Sequence, residues 1–562
     1  MYRIILLLLL GNIVSSISIV AQHDYPKALN LSTYFLGAQR SGDNNSWIHE
    51  ASHTEDGSAL SPQVDLTGGW HDCGDHIKFS FTNNWAATMY LLGYHFFPSG
   101  FLDNYSSAFS APPSNGIPDI LDEVKIQTDF IIKSFNNGNV VQQVGSGDYD
   151  HSGSFAEPAT QSTLPTNKGG DPRPIYINSN CVNIIGGAAS ALALMYMNYS
   201  DYDQTYANEC LASAKEFYAL GKQKSGSCGS VDCSSGGNPC YNLSSTSSDD
   251  EMAMAAACLY ESTGEISYRT DAENYFNSNL WDGQVHYYGG MDLIAAAVLY
   301  RTTADIKYLD FLKKHFTFHS KAQYNAMGFY NYQYSSGWGN LQYTGNEAFI
   351  ASLIHSLDGR INSTYYDFAK SNTDFILGSH DELGNIPANY SFLIGYDELG
   401  GGYPLRPHHK AAFGSTKTDW SLFTLESNSP GSVAYAFELK GAVVGGPDDS
   451  GNYTDKIDVF QNSEVCTYYN AGFTGALAYI NMIENNLIAQ VKELSGQPEL
   501  VQNGRFMTIK QGGQMQVVDA VGKLVIDQKV NKNQTINLSD LKVGVYFVKL
   551  NGLSHATRIV IK

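Results

Sequence analysis

The sequence predicts an all-α toroid followed by a small all-β sandwich. About twelve segments show the apolar spacing of helices, whereas residues 497–562 alternate apolar and polar side chains with a period of two. The same stretch carries nine Lys and Arg against four Asp and Glu, in a chain whose net charge is −21. Both changes fall near residue 496, which we predict to separate two domains.

The composition excludes several classes of protein. Because 43% of the residues are hydrophobic and only 16% are charged, the chain is not disordered. Its 34 Lys and Arg against 55 Asp and Glu argue against nucleic acid as a partner, since phosphates require clustered cations. Abundant aromatic residues, 12% of the chain, favour a surface that stacks on flat neutral ligands.

The N-terminal residues resemble a secretory signal peptide. Arg3 precedes the apolar stretch Ile4–Leu10, and the apolar region ends at Ala21. We therefore expect a signal peptide over residues 1–21 and an oxidising destination. An uncleaved membrane anchor is the alternative, although serine and asparagine residues dilute the apolar region.

Cysteine spacing leaves the disulfide connectivity open. Three of the eight cysteines lie in one Gly- and Ser-rich loop, where we expect a local disulfide; a zinc site there is the weaker alternative because no paired CxxC is present. These three are Cys228, Cys233 and Cys240.

Helical periodicity is clearest in seven segments. We predict that Ser248 and Asn183 cap two of them, and that the long Gly-, Asn- and Ser-rich loops between helices carry the active face. Twelve helices would form six concentric pairs. The seven segments are Ile117–Phe135, Asn183–Met197, Gln204–Leu220, Asp249–Ser262, Gly290–Tyr300, Asn346–Leu357 and Ala471–Leu494.

The stretch Asp65–Phe79 is the most informative for chemistry. Its carboxylates Asp72 and Asp75 are three residues apart among glycines, which allow close approach of a ligand. Such a pair suits acid–base chemistry on a water molecule. A metal site is the second hypothesis, and an Asx-rich turn without function is the third. The metal ligands would be His71, Asp72, Cys73, Asp75 and His76.

Glu464 is the candidate partner of this pair. It lies just before an apolar helix, where loss of solvent would raise the pKa of its carboxyl group. A protonated acid that faces an ionised Asp pair is the arrangement required for glycosidic cleavage. A helix N-terminal carboxylate without catalytic function is the alternative.

Four motifs in order resemble the catalytic domain of glycoside hydrolase family 9. The segment Asp24–Leu29 is similar to the start of that domain, and Asp65–Phe79 resembles its Gly-Gly-Trp-Tyr-Asp-Ala-Gly-Asp-His motif. Pro404–Lys410 is similar to Pro-His-His-Arg, and Asp455–Asn470 has the spacing of the family's acid motif. The resemblance implies a catalytic domain over residues 22–494 with an (α/α)6 barrel.

The resemblance also implies an activity and its residues. The protein is expected to be a secreted endo-β-1,4-glucanase that hydrolyses cellulose or related β-glucans with inversion, without a catalytic cofactor. Asp75 would be the general base, Asp72 would help to hold the water, and Glu464 would be the acid, with roughly 6.5–9.5 Å between base and acid. An exo-acting cellobiohydrolase or cello-oligosaccharide hydrolase is the alternative, and a non-catalytic surface glucan-binding protein is a third.

Substrate binding is implied for five residues. His408 and Lys410 would bind sugar hydroxyls, although the family has Arg at position 410 and the two cations are not equivalent. Further departures are His71 for Tyr, Cys73 for Ala, and Phe155 for Trp, with Cys466 and Tyr468 altering the segment after Glu464. The other expected substrate contacts are His151, Arg406 and Trp338.

A structural calcium site is implied by three acidic residues, Asp250, Glu251 and Asp282. Carboxylate oxygens suit this cation. The alternative is an acidic cluster favoured by the dipole at a helix start.

The segment 497–562 resembles the C-terminal sorting domain of type IX secretion. This implies export from a Gram-negative cell through the secretion machinery, followed by release or surface attachment. A carbohydrate-binding sandwich is the alternative, but the segment contains no Trp. We expect the mature protein to be a monomer.

Overall fold

The computed structural model describes residues 23–561 with internal gaps. The predicted signal peptide, residues 1–21, lies outside the described residues. The gaps are residues 44, 105–113, 137, 234–240, 242–247, 277–284, 323–328, 330–337, 449, 486–499, 504–505, 510–512, 520–522, 533, 539–540, 543 and 551–555.

Twelve helices of ten or more residues form the bulk of the described chain. They are α1 (Tyr25–Ala38), α2 (Ser80–Phe96), α3 (Asp119–Lys133), α6 (Val182–Tyr199), α7 (Gln204–Gly221), α8 (Asp249–Thr263), α9 (Ile266–Tyr275), α10 (Asp292–Thr303), α11 (Ile306–Ala322), α12 (Asn340–Leu357), α13 (Ser363–Ile376) and α17 (Thr467–Glu484). Five shorter helices lie in the connections: α4 (Gly147–Gly153), α5 (Pro158–Ser162), α14 (Lys410–Phe413), α15 (Ser421–Asn428) and α16 (Phe460–Ser463).

Six of the long helices pack into a closed ring in the order α2, α6, α8, α10, α12 and α17, and α17 packs against α2. The other six lie outside this ring, each against one or two inner helices. This arrangement matches an (α/α)6 barrel, and the predicted all-α catalytic unit is confirmed.

Burial distinguishes the two layers. Inner helix α12 is buried from Asn340 to Ser356, because neighbours cover it on every side. Outer helix α3 buries one apolar face, which includes Ile120 and Val124, and carries acidic side chains in its first turn. The inner helices are therefore buried on all sides, whereas the outer helices are amphipathic because only one face contacts the inner layer.

The predicted cap Asn183 is wrong, whereas the predicted cap Ser248 does lie at the N-cap position of α8. Asn183 lies inside α6, where its amide donates to Cys228 O at 2.8 Å. Ser248 makes no capping hydrogen bond to α8, and its hydroxyl lies 2.6 Å from that of Ser227. The continuation of the last helix to Leu494 falls partly outside the described residues, and the helix ends at Glu484.

The described strands form three antiparallel sheets. In the helical domain, β1 (Lys78–Phe79), β2 (Phe135–Asn136) and β4 (Ile175–Asn178) all pair with β3 (Asn139–Val144). Lys78 opposes Val144, so this sheet supports the end of the Asp65–Phe79 loop.

The C-terminal segment contains the other two sheets. One has the order β11-β10-β7-β8 and the other β5-β6-β9, and both contribute side chains such as Met507 and Val517 to one apolar core. The predicted alternation with a period of two is thus present. The strands are β5 (Leu500–Asn503), β6 (Phe506–Ile509), β7 (Gly513–Asp519), β8 (Leu524–Val530), β9 (Gln534–Asn537), β10 (Gly544–Leu550) and β11 (Ala556–Ile561).

Two disulfides join described cysteines, Cys73–Cys466 and Cys181–Cys228. The zinc alternative is wrong, because Cys228 pairs with a cysteine outside its own loop. Cys233 is also disulfide-bonded, and Cys240 lies outside the described residues. None of the described helices is long and apolar enough to span a bilayer.

Candidate active site

The Asp65–Phe79 loop is held against two other segments. Gln39 Nε2 donates to Cys73 O at 2.8 Å, and the Lys410 amide donates to Gly74 O at 2.9 Å. Gly74 packs so closely that a Cβ there would lie 2.0 Å from His408 O, which explains why only glycine fits. The metal hypothesis loses its thiolate, because Cys73 is disulfide-bonded.

Asp72 lies fully buried in the middle of this loop. Its Oδ1 accepts a hydrogen bond from the Thr82 hydroxyl, and its Oδ2 accepts one from Tyr241 at 3.0 Å. Burial raises the pKa of Asp72 well above its ordinary value, and the two donors oppose this shift. Its carboxylate oxygens are therefore oriented by one helix residue and one loop residue.

Asp75 is partly exposed and pairs with His151. The imidazole Nε2 of His151 donates to Asp75 Oδ2 at 2.9 Å, while the Ile77 amide donates to Oδ1 at 2.9 Å. Burial alone would lower the pKa of His151, but the hydrogen bond and charge of Asp75 outweigh it and raise that pKa. Both oxygens of Asp75 are therefore held by donors, which fixes the orientation of its carboxyl group.

Glu464 follows the short helix α16 and faces the same site. Burial, reinforced by the negative charge of Asp75, raises the pKa of Glu464 to about 7. The Trp338 indole donates to Glu464 Oε2 at 3.3 Å and partly opposes the shift. Because Glu464 also raises the pKa of Asp72, all three predicted carboxylates share one electrostatic site.

His408 lies beside the acid on a parallel bridge to Glu464. Its amide donates to Ser463 O at 2.9 Å, and its Nδ1 donates to Ile457 O at 2.6 Å. Burial lowers the pKa of His408 to about 4, so the ring is neutral. The Nδ1 bond fixes the tautomer and leaves Nε2 as an acceptor towards the site.

Lys410 differs from its expected role. Its ammonium is buried and donates to Asp150 Oδ1 at 2.5 Å and to Asp150 O at 2.8 Å. It therefore serves as the counter-ion of Asp150, the residue before His151, and does not lie open to a sugar. The physical reason is that a buried carboxylate requires a paired charge.

Arg406 and Trp338 differ in their contacts. Arg406 is held by a salt bridge to the buried Glu426 and is partly exposed. Trp338 is 41% exposed although its indole contacts Glu464, and its ring centroid lies 6.2 Å from that of Phe460. An exposed aromatic face beside the acid is suited to stacking on a sugar ring.

Three buried charged side chains anchor the Asp65–Phe79 loop. Asp56 binds Lys78 Nζ at 2.7 Å and Arg173 Nη2 at 2.6 Å, with all three side chains almost fully buried. Lys78 also donates to Leu66 O at 3.0 Å. The two ends of the loop are thereby tied to one interior charge cluster.

The candidate calcium ligands are only partly described, since Asp282 lies outside the described residues. Glu251 Oε2 is buried without a hydrogen-bond partner, and Asp250 Oδ2 accepts from the Met291 amide at 2.7 Å. Burial, with the charge of Asp250, raises the pKa of Glu251 well above its ordinary value. A bare carboxylate oxygen beside a second carboxylate fits a hard cation, although no group of three potential ligands converges among the described residues.

Sequence reasoning missed several residues of the site: Thr82 and Tyr241 on Asp72, Asp150 under Lys410, and the partnership of Cys73 with Cys466. The two cysteines did carry a signal, since both depart from the family pattern beside predicted catalytic carboxylates. Tyr241 gave none, because it lies 169 residues from Asp72 in a loop without periodicity.

A carboxylic acid that keeps its proton up to about neutral pH, in one site with further carboxyl groups, can cleave an acetal by acid–base catalysis. The helical barrel and this site together define a glycoside hydrolase. Residues 25–477 match the family model of glycosyl hydrolase family 9. The chain belongs to that family, as the motifs predicted.

Residues 502–562 match the model of a secretion system C-terminal sorting domain. The predicted type IX sorting domain is confirmed by this match. It covers the segment that contains the strands from β6 to β11.

Curated relatives are endoglucanases. Endoglucanase 4 of Bacillus sp. (strain KSM-522) is 29% identical over 81% of this chain and 68% of its own length. Endoglucanase A of Bacillus pumilus is 29% identical over 82% of this chain and 66% of its own length. Endoglucanase B of Cellulomonas fimi is 30% identical over 81% of this chain and 42% of its own length. The match thus spans only about two fifths to two thirds of these relatives' own lengths.

Solved structures agree with the fold. The cellulase Cel9M of C. cellulolyticum is 30% identical with a TM-score of 0.67, and the match covers 82% of this chain and 99% of that one. The endoglucanase of the termite Nasutitermes takasagoensis is 28% identical with a TM-score of 0.68 and the same coverage.

Proposed function

We propose that the protein is a secreted endo-β-1,4-glucanase that hydrolyses cellulose or a soluble β-glucan with inversion of configuration. The observation that carries this proposal is the carboxyl group of Glu464, whose pKa is raised to about 7 beside an Asp pair. Supporting it, the relatives are named endoglucanases, and Cel9M was solved in complex with cellobiose.

The proposed reaction is a single displacement. Asp75, with Asp72, takes a proton from a water molecule that attacks the anomeric carbon. Glu464 gives its proton to the leaving glycosidic oxygen, so the chain is cut and the new anomeric hydroxyl lies on the opposite face. The hydrogen bond from His151 would hold the carboxyl group of Asp75 in place for this role.

Substrate contacts are proposed for four residues around these carboxylates. Neutral His408 would accept a sugar hydroxyl at Nε2, and Trp338 would stack on a glucose face. His151 would contact the sugar through its exposed edge. Arg406 would bind a sugar hydroxyl while it keeps its salt bridge to Glu426. Lys410 is not included, because its ammonium is buried.

Exo-acting cleavage is the second candidate within the same chemistry. The discriminating experiment follows viscosity and reducing ends together on carboxymethylcellulose. Endo cleavage lowers viscosity long before many reducing ends appear, whereas exo cleavage releases reducing ends at nearly constant viscosity. A glucan-binding protein without catalysis would yield neither.

Asp250 and Glu251, completed by Asp282, are proposed to hold a structural calcium ion. When bound, it would neutralise buried carboxylates and would take no part in catalysis. Chelation by EGTA should lower the melting temperature, and added Ca²⁺ should restore it. In Glu251→Gln, EGTA should have no effect; an EGTA-sensitive Glu251→Gln variant would contradict the site.

The C-terminal sorting domain supports export by type IX secretion, with the mature enzyme released or attached at the cell surface as a monomer. Deleting residues 502–562 should leave the enzyme inside the outer membrane of a host that has this machinery. Activity in the medium at the full-length level would contradict this assignment.

The reaction itself is tested on cellohexaose with detection of the product anomer. We expect α-configured new ends from β-linked substrate, and no products from Asp75→Ala or Glu464→Gln, with thermal unfolding nearly unchanged. β-configured ends would overturn inversion, and full activity in either variant would overturn the assigned roles.

A further inference from the structure

The disulfide Cys73–Cys466 joins the two segments that supply the reacting carboxylates. Cys73 lies between Asp72 and Asp75 in sequence, and Cys466 lies two residues after Glu464. The two cysteines are 393 residues apart, and both side chains are buried. A covalent bond therefore connects the base loop directly to the acid segment.

Noncovalent contacts between these segments are weaker than this covalent bond. The Thr467 amide donates to Asp72 O at 2.9 Å, and His408 bridges the two segments through Ser463 O and the close approach of Gly74. Backbone hydrogen bonds can open during a catalytic cycle, whereas the disulfide does not. The disulfide is thus the most rigid link between the base loop and the acid segment among the described residues.

The sulfur atoms also lie within the hydrogen-bonded surroundings of Asp72. Cys73 Sγ is 3.2 Å from Asp72 Oδ2 and 3.8 Å from the hydroxyls of Tyr241 and Tyr468. Those two hydroxyls are 3.1 Å apart. The bond therefore packs beside the groups that orient Asp72, and its removal would leave space next to them.

We propose that the Cys73–Cys466 disulfide is a positioning element that fixes the separation between Asp75 and Glu464. This inference rests on the proposed roles of those two carboxylates. An inverting enzyme needs a gap that admits one water, and a misplacement of about 1 Å can cost on the order of 100-fold in rate. Turnover should consequently depend on an oxidised protein.

The test compares two disulfide deletions at 25 °C, well below unfolding. In Cys73→Ala/Cys466→Ala we expect kcat on cellohexaose to fall about 10- to 100-fold with KM changed less than about threefold. The alkaline limb of the pH profile should move to lower pH, because a looser gap weakens the effect of Asp75 on Glu464. The control Cys181→Ala/Cys228→Ala should keep kcat, since that bond contacts none of the three carboxylates.

A purely stabilising disulfide would give a different result. An unchanged kcat and pH profile with only a lower melting temperature would overturn the proposal, as would an equal loss of kcat in the control. An inactive wild-type protein would instead refute the proposed function.

If the double variant does not fold, dithiothreitol titration of the wild-type protein replaces it. Activity should fall in step with labelling of Cys73 and Cys466 while near-ultraviolet circular dichroism is retained. Full activity after both thiols are labelled would overturn the proposal.

Discussion

The Trp338 indole donates a hydrogen bond to Glu464 Oε2 at 3.3 Å, so an exposed aromatic side chain touches the candidate acid. This contact stabilises the carboxylate and therefore lowers the pKa of Glu464. Burial and the charge of Asp75 act in the opposite direction and prevail, so the pKa is raised to about 7. The acid is therefore protonated below neutral pH and loses its proton above it.

The pH dependence of kcat/KM should accordingly show an alkaline limb near pH 7, because only protonated Glu464 can act as the acid. In Trp338→Phe, which keeps a ring but removes the donor, this limb should move to higher pH. The control Trp47→Phe, whose indole donates to Tyr34 O, should leave it in place. A Trp338→Phe limb at the wild-type pH would contradict the role of this hydrogen bond.

Lys410→Met should destabilise the fold, because it leaves Asp150 buried without its counter-ion. Breaking such a pair costs about 3–5 kcal/mol in the free energy of unfolding, measured by urea denaturation. Asp150→Asn/Lys410→Met should recover much of the loss. The control is Lys456→Met, in the partly exposed Lys456–Asp458 pair, which should change the free energy of unfolding little. Wild-type stability with a raised KM in Lys410→Met would instead indicate a direct sugar contact.

Tyr241→Phe should reduce kcat by roughly 10- to 100-fold, since a misplacement of about 1 Å in the reacting groups can cost on the order of 100-fold in rate. Without this donor, burial would raise the pKa of Asp72 further and leave Oδ2 unoriented. Tyr94→Phe, which loses a hydroxyl contact with Tyr202 and not one with a carboxylate of the site, serves as the control. A Tyr241→Phe variant within twofold of wild type would show that Thr82 alone orients Asp72.

Asp56→Asn should destabilise the protein by about 3–5 kcal/mol at neutral pH, because Lys78 and Arg173 would remain buried without their counter-charge. Burial raises the pKa of Asp56, but these two cations outweigh it and lower that pKa below its ordinary value.

The stability due to ionised Asp56 is therefore fully present above its unfolded pKa of about 3.9 and is lost as the pH falls through the lower folded value. Urea unfolding of both proteins across the acid range measures this. The difference between wild type and Asp56→Asn should be constant above about pH 5 and shrink at lower pH. A difference that is independent of pH would mean that the cluster is not ionised.

Local signals predicted some elements closely. Helix α7 begins at the predicted Gln204, because Asp203 caps it from the adjacent position. Helix α12 begins six residues before the predicted Asn346, at Asn340, whose amide donates to Pro447 O at 2.9 Å. Buried polar residues with distant partners interrupt the apolar pattern, so sequence periodicity could not locate that start.

In the site, too, local features could be predicted from the sequence and long-range contacts could not. The motifs located Asp72, Asp75 and Glu464, because short spacings around them are distinctive. They did not reveal the partner of Lys410, which lies 260 residues away, or that of Cys73. Such pairings depend on how the barrel closes, and no local pattern encodes them.

Helix α17 lies between α2 and α12 and is the last helix of the barrel in sequence. Glu464 lies three residues before its first residue, and Cys466 is its N-cap. A growing polypeptide therefore cannot assemble the acid opposite the base until nearly all of the helical domain has been synthesised. Premature termination anywhere upstream would yield a product that lacks both the last inner helix and the proposed proton donor. Such truncated chains would be inactive.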